Sequence, residues 1–239
     1  MANNLVIGMW SGPRNLSTAL MRSFGNRRDV TNVIDEPFYA SYLVKSNKNH
    51  PMKHEVIKSQ SINIYEVKNL CQQVNNGITY QKHMTHHILD KDYSWMKKIK
   101  NCFLIRDPKF VVKSFMKSWN DGDYEDIGFQ QQYDIFKFVI DNIDEKPPII
   151  DASKLRNDPK NTLVKFCNKL NIKWDEDMLH WEPGLKSYDG VWAPHWYPSV
   201  MESNSFKPED EIKFSLNDNE KRIVEKAMPI YEELYKNSI

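Results

Sequence analysis

Five short apolar runs divide this sequence into repeating units, and a helical pattern follows most of them. "NLVIGMW" (4–10), "VTNVIDEP" (30–37), "GITYQKHM" (77–84), "IKNCFLIRD" (99–107) and "PPIIDASKL" (147–155) each have the length of a buried strand. After the first run, Leu16, Ala19, Leu20 and Phe24 recur at helical spacing; after the fourth, Val111, Val112, Phe115, Met116 and Trp119 do. Ile57, Ile62, Ile64, Val67 and Leu70 predict helix within 53–76. Asp107-Pro108 and Asp158-Pro159 read as N-caps followed by proline at the first helical position. The second opens a helix with Leu163, Phe166, Cys167 and Leu170 inside. Asn217 and Glu220 form a capping-box pattern for a last helix to about Tyr235, with a kink expected at Pro229. Residues 120–132 are polar and read as a loop leading into a helix.

This alternation predicts an α/β fold: a three-layer sandwich, one domain over 1–239, whose central, mostly parallel sheet carries helices on both faces. Ligands of such sheets bind beyond the carboxyl ends of the strands. Attention therefore falls on 11–18, 35–39, 82–87 and 106–114. The formal charge is only +1, so nothing marks a nonspecific nucleic-acid binder, and an anion site must be a local constellation. Three dispersed cysteines, Cys71, Cys102 and Cys167, argue against a disulfide framework. With no evident signal peptide and no apolar run of membrane length, a cytoplasmic location is expected.

The first strand runs into "SGPRNLST" (11–18) and then into a helix. A tight turn there aims the first helical N–H groups, which have no intrahelical partners, at one point that attracts an anion. Gly12 permits close backbone approach, Arg14 adds a planar donor fork, and Ser17 and Thr18 add hydroxyls. The sandwich is nucleotide-triphosphatase-like, yet the loop is not the G-x-x-x-x-G-K-[ST] type: with Thr18 as the final hydroxyl, Ser17 stands in the lysine's place and Leu16 in the glycine's. A second anion site follows the fourth strand. Arg106 ends that strand, and Ser114 is a polar residue in an otherwise apolar helix.

These residues resemble the sulfotransferases that use 3′-phosphoadenosine 5′-phosphosulfate. "PRNLST" (13–18) is similar to that family's 5′-phosphosulfate loop, P-K-S-G-T-T, with Arg14 in the lysine's place and Leu16 where a glycine is usual. "RDPKFVVKS" (106–114) resembles its 3′-phosphate motif, an Arg and a Ser at this separation. "KSYDGVWAPHWYPS" (186–199) is similar to the late loop that closes over the nucleotide, although it lacks the usual Arg-Lys-Gly run. The resemblance implies donor contacts from Ser11, Gly12, Pro13, Arg14, Asn15, Leu16, Ser17 and Thr18, from Arg106 and Ser114, and from Lys186, Gly190 and Trp192. It implies transfer of the sulfuryl group to a hydroxyl of a small-molecule acceptor. Trp192, Trp196 and Tyr197 offer faces on which adenine can stack.

Sulfuryl transfer needs a base for the acceptor proton and positive charge at the bridging oxygen, the second supplied by Arg14. Two bases stand at strand ends: Glu36 in "VIDEPFY" and His83 in "YQKHMTHH". Lys82-His83 resembles a shortened form of the Lys-Thr-His strand of hydroxyl-acting members, which also marks Lys82; some bacterial members use a glutamate near the second strand. Glu36 needs no alignment gap and is favoured slightly. His83, His86 and His87 do not have the spacing of a zinc site, and no metal is expected. Residues 38–60 and 120–135 are expected to shape the acceptor pocket. Two other readings remain at this point: a kinase of the same broad fold, and a non-catalytic module that binds an anion or a nucleotide.

Overall fold

The computed structural model describes residues 4–119, 122–208 and 215–239. In chain order the elements are β1 (Leu5–Ser11), α1 (Ser17–Gly25), β2 (Val30–Asp35), α2 (Tyr39–Ser46), α3 (Lys53–Ser59), α4 (Ile64–Cys71), β3 (Ile78–Met84), β4 (Lys100–Ile105), α5 (Pro108–Met116) and α6 (Phe129–Asn142). There follow β5 (Ile149–Asp151), α7 (Ala152–Asn157), α8 (Pro159–Leu170), α9 (Ala193–Trp196), α10 (Pro198–Met201) and α11 (Asp218–Lys236). The five strands form one sheet in the order β2-β3-β1-β4-β5, every pairing parallel. Helices cover both faces, as the alternation predicts.

The period-2 geometry of a strand sends neighbouring side chains to opposite faces, so each central strand feeds two cores. Met9, Cys102 and Leu104 pack with Leu20, Phe24, Tyr80 and Phe166 on one side. Trp10, Phe103 and Ile105 pack with Trp95, Phe136 and Val139 on the other. α6 is tied to the sheet by Gln132, whose Nε2 donates to the carbonyls of Trp10 and Leu104, both at 3.0 Å. The three cysteines are buried and free. Among the described residues no helix is long and apolar enough to cross a membrane.

Four local readings change. The helix expected within 53–76 is two helices, α3 and α4. Gln60 turns extended between them and spends its amide on the carbonyl of Glu36 (3.0 Å) and the N–H of Ala40 (3.1 Å); Asn63 then caps α4. The fifth run is strand only at Ile149–Asp151, because Asp151 turns its carboxylate onto the N–H groups of Ser153 and Lys154 and starts α7. β2 ends at Asp35, where Glu36 adopts a left-handed backbone (φ 43°). In the polar stretch 120–132, residues 120 and 121 lie outside the described residues, and α6 already begins at Phe129. The capping box of Asn217 and Glu220 forms, and Pro229 lies inside α11.

Candidate active site

The carboxyl ends of all five strands open into one cleft of about 330 Å³. Its lining includes Pro13, Arg14, Leu16, Ser17 and Thr18 after β1, Glu36 and Tyr39 after β2, and Lys82, His86 and His87 at β3. Arg106 and Ser114 come from β4 and α5, and Arg156 from α7 after β5. This is the crevice where the strand order reverses around β1, the general ligand position of open parallel sheets.

The corner between β1 and α1 is built from unusual backbone. Gly12 is required by contact rather than by dihedral angle: a β-carbon there would come within 2.3 Å of the Ile127 carbonyl oxygen. Arg14 (φ 63°) and Leu16 (φ 70°) both take left-handed conformations, which cost non-glycine residues about 1–2 kcal/mol each. The Leu16 position, where the resembling loops carry glycine, is thus a position whose backbone suits glycine. Leu16 is the N-cap of α1 and supplies no side-chain cap, and Leu20 is the first to donate back to it (3.1 Å). The amides of Ser17, Thr18 and Ala19 precede that first bond, on a turn that lines the cleft. α5 differs: Asp107 caps it with a bond from the Lys109 N–H (2.8 Å). The first helix, and not the fifth, therefore presents an uncapped N-terminus to a ligand.

Arg14 reaches across the cleft, and its Nε donates to Ser114 Oγ at 2.8 Å. Arg106 donates from Nη1 to the Arg14 carbonyl oxygen at 2.7 Å, which steadies the left-handed turn. Partial desolvation of the Arg14 guanidinium, and then the charge of Arg106, push its pKa down. Two guanidiniums and a hydroxyl thus meet at the open end of α1, in one connected patch. An anion bound there relieves the repulsion and receives charge-assisted hydrogen bonds.

The second cluster is acidic and deeper. Lys82 Nζ lies against Glu36 Oε1 in a short contact, 3.0 Å from Asp35 Oδ1 and 2.6 Å from the Tyr197 hydroxyl. β2 and β3 pair Asp35 with Lys82, which fixes this meeting. The Tyr197 hydroxyl accepts from Trp192 Nε1 (2.8 Å) and lies 2.8 Å from Asp35 Oδ2 and 3.1 Å from Glu36 Oε1. The left-handed Glu36 is held by its N–H on the Lys82 carbonyl (2.9 Å) and by Gln60 on its own carbonyl. Burial, opposed by Lys82, raises the Glu36 pKa; Asp35 and Glu36 together outweigh burial and raise that of Lys82. Glu36 Oε2 makes no hydrogen bond among the described residues and lies 3.9 Å from His87 Nδ1.

Beyond Glu36 the cleft is walled by imidazoles and aromatic rings. Tyr39 stacks on His87 (4.5 Å between ring centres) and bonds His50 Nδ1 through its hydroxyl (2.9 Å). His50 packs against Trp119 (4.8 Å), which lies alongside Trp196 (6.2 Å). Burial holds His50 at about 4 and His86 at about 3, and drives His87 well below the ordinary imidazole value, so all three are neutral near pH 7. Among the described residues no three His, Cys, Asp or Glu side chains are grouped to hold a metal ion.

Several sequence expectations are relocated. His83 does not line the cleft: strand alternation sends it to the face opposite Lys82, where it stacks on Trp10 (4.2 Å) and bonds Gln81 (3.0 Å) as a core histidine. Lys186, Gly190 and Trp192 do not line the cleft either. Gly190 donates its N–H to Asp35 Oδ2 (3.2 Å), and Trp192 is buried beneath Tyr197, so that loop braces the acidic cluster. Of the three aromatic residues, Trp196 and Tyr197 reach the cleft. Ser11, Gly12 and Asn15 shape the corner from below; Asn15 donates to the Gly12 carbonyl (3.2 Å). Sequence reasoning missed Arg156 and Trp119, and it covered Asp35 and His50 only within the ranges 35–39 and 38–60, without naming either residue. Asp35 carried a signal, an acid beside Glu36 at the end of a buried run.

Over residues 5–238 the chain matches the family model described as "Sulfotransferase domain". Two Arabidopsis thaliana proteins, the branched-chain-amino-acid aminotransferase-like proteins 1 and 2, are 33% identical over 234 residues and 31% identical over 229. These alignments cover 97% and 95% of this chain, which spans about two fifths of the length of those relatives (42% and 40%). The sulfotransferase domain from the curacin biosynthetic pathway superposes with a TM-score of 0.59 at 15% identity, covering 95% of this chain and 99% of that one. The sulfotransferase domain of the Synechococcus PCC 7002 olefin synthase gives 0.52 at 14% identity, covering 94% of each. At these identities the structural likeness establishes a shared fold.

Proposed function

The chain belongs to the sulfotransferase-domain family, and from that premise we propose that it moves a sulfuryl group from 3′-phosphoadenosine 5′-phosphosulfate to a hydroxyl of a small-molecule acceptor. The observation that carries the reading is the meeting of Arg14, Ser114 and Arg106 at the uncapped start of α1. A doubly phosphorylated donor suits this patch, which offers two guanidiniums, the Ser17 and Thr18 hydroxyls and the first-turn amides. The donor supplies a sulfuryl group on a phosphate leaving group.

The residues divide the remaining work. Arg14 and the α1 amides counter the charge that grows on the leaving oxygen. Arg106 and Ser114 hold the 3′-phosphate end. Glu36 takes the acceptor proton through Oε2, while Lys82 and Tyr197 fix Oε1. A raised carboxyl pKa suits that task, because a weakly basic carboxylate is a poor proton acceptor. His50, His87, Tyr39, Trp119 and Trp196 form the acceptor side and exclude water. The kinase reading fits less well: Lys82 already pairs with both Asp35 and Glu36, which would otherwise be the obvious magnesium ligands.

The test is to incubate the protein with the phosphosulfate donor and a panel of alcohols, phenols and sugars, and to follow release of 3′,5′-adenosine bisphosphate. Acceptor-dependent release that disappears in Glu36→Gln supports the reading; no release from the phosphosulfate, with ADP formed instead when ATP and magnesium are supplied with the same acceptors, contradicts it.

A further inference from the structure

Helix α1 serves the cleft from both ends. Its first turn lines the wall, whereas Arg22, near its other end, points into the protein and is buried. There the guanidinium meets Asp189 in a two-point pair, Nη1 to Oδ1 at 2.5 Å and Nη2 to Oδ2 at 2.6 Å, with side chains 0% and 2% exposed. A pair buried this fully contributes little net stability over an apolar pair of the same shape. What it fixes is geometry, because a guanidinium and a carboxylate bond in one planar arrangement.

The geometry fixed is that of residues 186–192. Asp189 Oδ2 also accepts the Lys186 N–H at 2.8 Å. Tyr188 lies beside Arg22 and crosses α1 at Gly25, where a β-carbon would come within 2.5 Å of the Tyr188 hydroxyl. Gly190 makes the same allowance for Trp192, whose ring a β-carbon would meet at 2.2 Å. From this seated loop two bonds leave for the acidic cluster: the Gly190 N–H to Asp35 Oδ2 (3.2 Å) and Trp192 Nε1 to the Tyr197 hydroxyl (2.8 Å). That hydroxyl accepts from Trp192 and Lys82, so its single proton is directed at Asp35 or Glu36.

We infer that Arg22 is a positioning residue for Glu36: through Asp189 it seats the 186–192 loop, and the loop, by Gly190 on Asp35 and Trp192 on Tyr197, sets the carboxylate that receives the acceptor proton. The inference rests on Glu36 being the base. Arg22 touches neither the cleft nor Glu36. One helix thereby holds the donor at its N-terminus and the base through its far end.

The experiment is a double-mutant cycle between Asp189→Asn and Tyr197→Phe, read as donor turnover and as affinity for 3′,5′-adenosine bisphosphate, with a crystal structure of Asp189→Asn. Asp189→Asn is expected to keep the bisphosphate affinity within about threefold of wild type and to lose roughly tenfold or more in turnover. Its effect in the Tyr197→Phe background should be smaller, since one of the loop's two routes to Glu36, Trp192 on Tyr197, is already removed there. Equal losses of affinity and turnover would mean that the pair merely holds α1, and additive losses would mean that Tyr197 is not the route; either overturns the inference. If wild type neither binds the bisphosphate nor consumes the donor, the functional proposal fails by itself, and the crystal structure decides the positioning. There the Tyr197 hydroxyl should leave hydrogen-bond distance of Glu36, and an unmoved contact overturns the inference. Should Asp189→Asn not fold, Arg22→Lys, which keeps the charge and loses the fork, takes its place under the same expectations.

Discussion

Arg14 Nε donates to Ser114 Oγ across 2.8 Å, joining the corner after β1 to helix α5 between residues that stand 100 positions apart. With Arg106 on the Arg14 carbonyl, this contact turns two local motifs into one cationic patch. Removing Arg106 deletes a charged contact and also releases the strained Arg14 turn. Arg106→Ala should therefore weaken binding of 3′,5′-adenosine bisphosphate by about 1.5–3 kcal/mol, and Ser114→Ala by about 0.5–1.5 kcal/mol, in calorimetric titrations. Both affinities should fall as salt is raised. An Arg106→Ala protein that binds like wild type would remove Arg106 from the site.

Glu36→Gln keeps the shape of the acidic cluster and removes the carboxylate proposed as the base. Turnover should drop by about 10²–10⁴-fold with bisphosphate affinity unchanged. Because burial raises the Glu36 pKa, the acid limb of the wild-type rate profile should lie above the ordinary carboxylate range: activity rises with pH through that elevated pKa as Glu36 ionises. A limb at an ordinary carboxylate pKa, or one that survives in Glu36→Gln, points to another base.

Lys82→Met leaves Asp35 and Glu36 side by side in the interior without their counter-charge. The loss should be about 3–5 kcal/mol in denaturant melts at neutral pH. Glu36, raised by burial and no longer opposed by Lys82, then gains its proton more readily in the folded state than in the unfolded chain, so this variant should recover part of the loss as pH falls. A loss independent of pH would place its cause in packing instead of charge.

The corner and both arginines were legible in the sequence because their signals are local: a glycine between strand and helix, a cation at a strand's end. Leu16 stood out there as a departure from the resembling motif, and the structure gives its backbone reason, a left-handed φ. Which of the two candidates, Glu36 or His83, lines the cleft was not legible, because Lys82 and His83 face opposite sides of β3 and only the assembled sheet shows which side opens into the cleft. The pairing of Asp35 with Lys82 is a matter of register between strands. The break between α3 and α4 also escaped notice. Its apolar spacing continues across Gln60, and the interruption comes from that residue's tertiary bonds to Glu36 and Ala40. Aromatic residues in 186–199 were visible, yet which of them packs below and which faces the cleft depends on the Arg22–Asp189 anchor.

Gly12→Ala places a methyl group 2.3 Å from the Ile127 carbonyl oxygen, a backbone atom that moves only with its whole segment. We expect a loss of about 1–3 kcal/mol of stability, together with weakened bisphosphate binding. Thermal melts with and without the bisphosphate separate the two effects. A variant that melts and binds as wild type would show that the corner tolerates a side chain.

Burial lowers the pKa values of four histidines: His50 to about 4, His83 and His86 to about 3, and His87 further. In the unfolded chain they titrate near 6.5. Between the two values the unfolded state binds more protons, so stability is complete above about pH 6.5 and is lost progressively as pH falls toward the folded values. Urea melts between pH 7.5 and 5 should show this slope, and His50→Gln should reduce it. A flat profile would mean that these rings are solvated or charged in the native protein.

The most direct test of the cationic patch is a calorimetric comparison of 3′,5′-adenosine bisphosphate with 5′-AMP on the same protein. The two ligands differ only in the phosphate assigned to Arg106 and Ser114. The bisphosphate should bind roughly tenfold or more tightly, and that advantage should vanish in Arg106→Ala. Equal affinities for the two nucleotides in the wild-type protein would contradict the account.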